Sequence, residues 1–192
     1  MKKILTILIF LTAIQAMSQE KFINGRIDGY SDKYIYFMEF DGSQSSVFDS
    51  IKTDQIGGFQ WNAENINPGL YRILFGNDKF IDLIINNESF GFNTNYSYPK
   101  EDIKFSASKE NSLLYNYLRK RNSNQFKLEL LTPLVAQYPQ NEEFYKKAEN
   151  EYVRLQHDMK EYTSTVIENN TGLLVSKFIH YDKPHQIDLS VA

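Results

Sequence analysis

The chemistry open to this chain rests on three histidines, one Asp-Ser-Ile triplet and a set of aromatic rings, because its 192 residues include no cysteine. Without a thiol there is no disulfide, no thiolate metal site and no cysteine nucleophile. His157, His180 and His185 lack the spacing that brings imidazoles onto one metal. His157-Asp158 falls in a polar stretch of a helical pattern, which places it in solvent. No Gly-x-Ser-x-Gly elbow presents a serine, and Gly57-Gly58 is followed by no phosphate-loop signature. The expectation is a chain with no catalytic residue, no cofactor and no bound metal.

Two sets of residues remain. Asp49-Ser50-Ile51 resembles a short O-glycosylation acceptor pattern of some exported bacterial proteins, with Ser50 as the acceptor. The competing reading is a strand edge whose aspartate hydrogen-bonds the adjacent backbone. The chain also carries 13 Tyr, 14 Phe and one Trp, enough rings for a sugar-stacking surface, for which Trp61, Tyr96 and Tyr98 are the candidates. Most of the rings alternate with polar residues along strands, and the default reading of such rings, these three included, is a core.

The elements that must position these side chains divide into two halves by period. Residues 20 to about 106 hold eight short β-patterned runs: Phe22–Ile27, Tyr34–Phe40, Ser46–Thr53, Phe59–Asn62, Tyr71–Phe75, Phe80–Ile85, Phe90–Thr94 and Ile103–Phe105. Turn-forming pairs such as Asp28-Gly29, Asp41-Gly42 and Pro68-Gly69 separate them. Strands at about ten-residue spacing, with no helical crossover between them, predict an antiparallel β-sandwich or open barrel. Gly25, Gly58 and Gly69 are expected at positive φ. From Ser108 the period becomes helical. Ser108 caps a first helix, and a second stretch, Phe126–Tyr138, is broken or restarted by Pro133. The longest helix runs from Glu142 to Asn169 with Asn141 as its cap, and its apolar face is Phe144, Ala148, Tyr152, Leu155, Met159, Tyr162 and Val166. A short apolar helix, Leu173–Ile179, follows. The fold class is α+β, with a β-domain over 19–107, a helical segment over 108–184 and an unstructured tail or truncated linker over 185–192.

Met1-Lys2-Lys3 followed by the apolar run Ile4–Met17 and the small residues of Ala16-Met17-Ser18 reads as a secretory signal peptide over 1–18. The run is shorter than the roughly 20 residues that span a bilayer. A mature protein that is periplasmic or secreted, with no stable membrane span, is expected. Cleavage removes Lys2 and Lys3 and makes the net charge of −3 more negative by two. An acidic balance excludes a nucleic-acid partner, which needs a basic surface. The basic run Arg119-Lys120-Arg121 falls at the expected end of the first helix, where it complements the dipole or faces water. A hydrophobic content of 42% supplies a real core.

A series of positions in fixed order carries a resemblance: Phe22-Ile23-Asn24-Gly25-Arg26-Ile27, Tyr34-Ile35-Tyr36-Phe37, Asp49-Ser50-Ile51, Gly58-Phe59, Pro68-Gly69-Leu70-Tyr71 and Ser106-Ala107-Ser108-Lys109-Glu110-Asn111. It resembles the domain-of-unknown-function module at the N-terminus of many exported thioredoxin-like proteins, of the thiol:disulfide interchange and thiol-specific-antioxidant kind. The helical segment is similar to the connector that follows that module. The family's catalytic pair is a Cys-x-x-Cys on a downstream thioredoxin fold, and no residue here matches it. The resemblance implies a non-catalytic, exported accessory module that positions or docks a redox domain, with a thioredoxin-like envelope protein as partner. Two alternatives stand beside it. One is a stand-alone periplasmic ligand- or glycan-binding module; the other is a fragment of a thiol:disulfide oxidoreductase whose catalytic domain lies beyond Ala192.

Overall fold

A computed structural model describes residues 20–41 and 44–182. The expected signal peptide and tail lie outside the described residues. All eight expected strands form: β1 Phe22–Asp28, β2 Tyr34–Asp41, β3 Gln44–Lys52, β4 Gly58–Asn62, β5 Gly69–Phe75, β6 Lys79–Ile85, β7 Phe90–Asn95 and β8 Lys104–Ser106. They make two four-stranded sheets, in the order β4-β1-β7-β8 and β3-β2-β5-β6. Three helices follow: α1 Lys109–Gln137, α2 Glu143–Glu168 and α3 Leu174–Tyr181.

The two sheets face each other over one core, and period-two alternation decides which side chains enter it. Ile23 and Ile27 of β1 and Phe90 and Phe92 of β7 point inward from the first sheet. Ile35 and Phe37 of β2, Ile73 and Phe75 of β5, and Ile81 and Leu83 of β6 meet them from the second. Each such side chain contributes roughly 1.5–3 kcal/mol by leaving water. Aromatic contacts join the sheets directly. Phe37 stacks on Trp61 with ring centroids 3.9 Å apart, and Phe59 bridges Phe37 and Phe92 edge-on.

One strand pair departs from the antiparallel expectation. β1 and β7 run parallel, from Ile23 opposite Phe90 to Asp28 opposite Asn95. No helix is needed for the crossover, because the chain between them builds β4 and the whole second sheet before returning. The glycine expectation is also corrected: positive φ occurs at Gly29, Gly57 and Gly76, not at Gly25, Gly58 or Gly69. Gly25 is required for space instead. A Cβ there would lie 2.2 Å from Cζ of Phe59 and 2.8 Å from Cζ of Phe92, inside the inter-sheet core.

The helical half differs from expectation in three places. Pro133 neither breaks nor restarts a helix; α1 runs through it as one 29-residue element. Leu128, Leu131, Leu134 and Val135 hold both sides of the proline in a second apolar cluster with Tyr145, Ala148, Tyr152 and Leu155 of α2. That packing offsets the roughly 3 kcal/mol that proline costs inside a helix. Glu142, not Asn141, occupies the cap of α2, without a side-chain cap bond. Phe144 is half exposed and pairs with the Tyr138 ring at the hairpin tip, while Tyr145 takes its place on the buried face.

Candidate functional site

The junction between sheet and helices is built by the Ser108–Asn111 segment. Ser108 caps α1 as expected, its Oγ accepting from the Asn111 N–H at 3.2 Å, and it donates to Glu88 Oε1 at 2.7 Å. Asn111 is fully buried against β6, the outermost strand of its sheet. Its Oδ1 accepts from the Ile84 N–H and its Nδ2 donates to the Ile84 carbonyl, both at 2.8 Å. The carboxamide thus acts as a one-residue strand on an edge that would otherwise leave both groups unpaired. Glu110, 2% exposed, does the same for α3. Its Oε1 accepts from the Leu174 N–H at 2.9 Å and from Asn86 Nδ2 at 2.7 Å, and its Oε2 accepts from the Val175 N–H at 2.7 Å. A carboxylate at a helix N-terminus satisfies orphan donors and complements the dipole.

This latch fixes α1 and α3 over the outer face of the second sheet and leaves a cleft of about 330 Å³ between them. Leu70, Leu114, Leu118 and Phe178 make its apolar walls. Arg121 of α1 and Asp182, just past α3, form an ion pair at the rim, and the Tyr117 hydroxyl donates to the Asp182 carbonyl at 3.4 Å. Tyr181 stands at the mouth, 78% exposed. The sheet face continues outward from the cleft. By register Asp82, Arg72 and Met38 form one row and Phe80, Leu74 and Tyr36 the next. Arg72 is held by Asp82 through two bonds of 2.6 and 3.0 Å, and its guanidinium lies 3.6 Å over the Phe80 ring. Tyr34, Tyr36 and Phe40 are exposed on this face.

Burial sets the electrostatics here. Tyr117 is pushed above the ordinary tyrosine range by burial and then by the Asp182 carboxylate. Tyr115 is pushed up by burial and by the Asp82 charge. Lys100, whose Nζ lies 3.4 Å over Phe80, is lowered by burial, with the Asp82 charge opposing. A tyrosine whose folded pKa is raised gives stability that is complete below its unfolded value of about 10 and lost as pH rises through the folded value. The melting temperature is therefore expected to fall as pH is raised above about 10, and Tyr115→Phe should flatten that fall. An unchanged slope in the variant would show that Tyr115 does not carry the dependence.

The sequence-selected residues do not assemble into one surface. Trp61, a candidate ligand ring with core as its default reading, is only 4% exposed: it is core, stacked on Phe37, with Nε1–H donating to Asp49 Oδ2 at 2.7 Å. Tyr96 is half-buried and stacked on Tyr30. Tyr98 alone is open, 65% exposed, beside a groove of about 260 Å³ lined by Lys79, Phe80, Lys100 and Glu101. Ser50 is exposed on β3, an outer strand, and its own N–H donates to Asp49 Oδ1 at 2.7 Å, the local bond the competing reading anticipated. His157 is exposed beside Glu161, and His180 is exposed with its ring against Tyr181. His185 lies outside the described residues.

The basic run Arg119-Lys120-Arg121 sits mid-helix rather than at a helix end, so the dipole reading fails. Arg119 donates to Asn116, Lys120 lies 6.0 Å from the Tyr162 ring centroid, and Arg121 reaches Asp182. Among the described residues no cluster of three His, Asp or Glu could hold a metal, and no helix is long and apolar enough to cross a membrane. Sequence reasoning missed Glu110 and Asn111 as buried polar groups. The available signal was Asn111 sharing a helical face with Leu114 and Leu118, a polar residue where the pattern wants an apolar one. The chain matches no protein-family model, no curated protein and no solved structure.

Proposed function

We propose that this chain is an exported, non-catalytic accessory module that docks a thioredoxin-like redox domain, and that the cleft between the second sheet, α1 and α3 is the docking surface. The observation that carries the reading is the continuity of that cleft with an exposed aromatic sheet face. Phe178 and Tyr181 border the cleft on one side, and Tyr34, Tyr36 and Phe40 extend the sheet face on the other. Exposed aromatic surface with a charged rim is the composition of a protein contact, not of a solvated face. The latch supports it as well, since Glu110 and Asn111 give both helices a fixed position and so lower the ordering cost of binding. The identity of the partner as a redox domain rests on the resemblance in sequence order.

The test is a photo-crosslinking amino acid at Tyr181 in the native host, with captured proteins identified by mass spectrometry. Capture of a protein bearing a Cys-x-x-Cys thioredoxin fold is the expected result. Capture of unrelated proteins only, with a Tyr98 probe behaving identically, would overturn it. The exposed Tyr98 ring favours a second reading, a ligand- or glycan-binding module. A glycan-array signal abolished by Tyr98→Ala would select that reading.

A further inference from the structure

Asp49-Ser50-Ile51 is a motif that the docking reading leaves unused. Of the chain's aspartates, only Asp49 precedes a serine or a threonine. The fold fixes both neighbours of Ser50. Asp49 accepts from the Ser50 N–H through Oδ1 and from the Trp61 Nε1–H through Oδ2, both at 2.7 Å, and so ties β3 to β4, outer strands of the two sheets. Ile51 packs half-buried against the inter-sheet core, opposite Ile35. The bond from the Ser50 N–H therefore orients the triplet and leaves the hydroxyl uncommitted.

Ser50 lies opposite Tyr36 in the register, and cross-strand partners point to the same side of a sheet. Ile35 and Phe37, the neighbours of Tyr36, fill the core, so Tyr36 and Ser50 face outward. Ser50 is exposed, and its Oγ has no hydrogen-bond partner among the described residues. β3 pairs with β2 alone, which leaves its other side open to an approaching enzyme. Tyr36, 38% exposed, sets an apolar ring beside the hydroxyl, a surface that an attached sugar covers. Ser45 and Ser46 share the strand and the exposure but have no aspartate before them, which makes them internal controls.

We propose that Ser50 is an O-glycosylation acceptor. Its Oγ attacks the anomeric carbon of a glycosyl diphosphate donor held by a transferase of the host. A C–O glycosidic bond forms, the bond from that carbon to the diphosphate oxygen breaks, and the diphosphate leaves with the electron pair. The hydroxyl proton passes to a base of the transferase, and nothing is oxidised or reduced. The assignment rests on the export reading, since the acceptor pattern is one of exported proteins, but not on the docking partner. Ser50 stands on β3, at the opposite edge of its sheet from β6, where α1 is latched.

The experiment is the intact mass of the full chain purified from its native host, followed by base-catalysed β-elimination and peptide mapping. A chain cleaved after Ser18 and heavier than its sequence by whole sugar residues is expected, with elimination confined to Ser50. Ser50→Ala should lose the entire increment, and Ser50→Thr, which keeps a hydroxyl, should retain it. Both variants should fold as the wild type does, because the replaced side chain is exposed and unbonded. The mapping on wild-type protein locates the site without either variant. A cleaved chain of unmodified mass, an increment that persists in Ser50→Ala, or elimination at Ser45 or Ser46 instead would overturn the assignment and leave export standing. An uncleaved, unmodified chain would overturn both.

Discussion

Replacing Glu110 by alanine is expected to destabilise the protein by about 3–5 kcal/mol, the range seen when one partner of a buried charged network is removed. The reason lies in what the carboxylate leaves behind. The N–H groups of Leu174 and Val175 and the Asn86 amide all donate to it, and Val175 is fully buried. Each orphaned donor costs about 1–3 kcal/mol. Glu110→Gln keeps one acceptor oxygen and should lose less, about 1–2 kcal/mol. Urea denaturation gives the totals, and hydrogen exchange gives the location. Protection at Leu174 and Val175 should fall before protection in β1 or β5. A Glu110→Ala variant within about 1 kcal/mol of wild type would mean that water replaces the carboxylate and that α3 is not latched.

Asn111→Asp is expected to cost a similar amount, about 3–5 kcal/mol, through a different defect. The new oxygen would face the Ile84 carbonyl at the place where Nδ2 now donates at 2.8 Å, and a charge would enter a site with no solvent exposure. Protonation turns that oxygen into a donor, so the variant should regain stability as pH falls, opposite to a salt-bridged aspartate. Asn111→Leu leaves both Ile84 groups unpaired and should cost about 2–4 kcal/mol with no such pH dependence. Equal pH profiles for the two variants would sink the strand-mimic role of Asn111. The cleft at Tyr181 should widen or fluctuate in both, because α1 and α3 set its walls.

Position on the chain decided how much could be read in advance. The eight strands were legible because alternation and turn residues are local, and β2 or β6 carries its own period without reference to any partner. The helical segment was legible for the same reason, apart from the α2 cap, the exposure of Phe144 and Pro133, where the proline penalty is local and the packing that offsets it is not. The sequence left Trp61 open between core and ligand surface because its burial depends on Phe37, a residue of the other sheet, and on Asp49 taking its N–H. Exposure of Tyr98 and burial of Trp61 follow from the same fold, not from any difference between the two rings.

The sequence by itself determined the order of elements, the period of each half and the absence of thiol chemistry, since all three are properties of short segments or of composition. Tertiary structure decided which strands share a sheet, that β1 and β7 run parallel, and where polar groups enter the core. The latch shows why. Asn111 answers Ile84 from 27 residues away and Glu110 answers Val175 from 65, and a buried polar side chain is explained only by the backbone groups it meets. Those distant backbone partners have no signature in the residue itself, so the same Glu-Asn pair reads as an ordinary first helical turn until the sheet edge and α3 are brought against it.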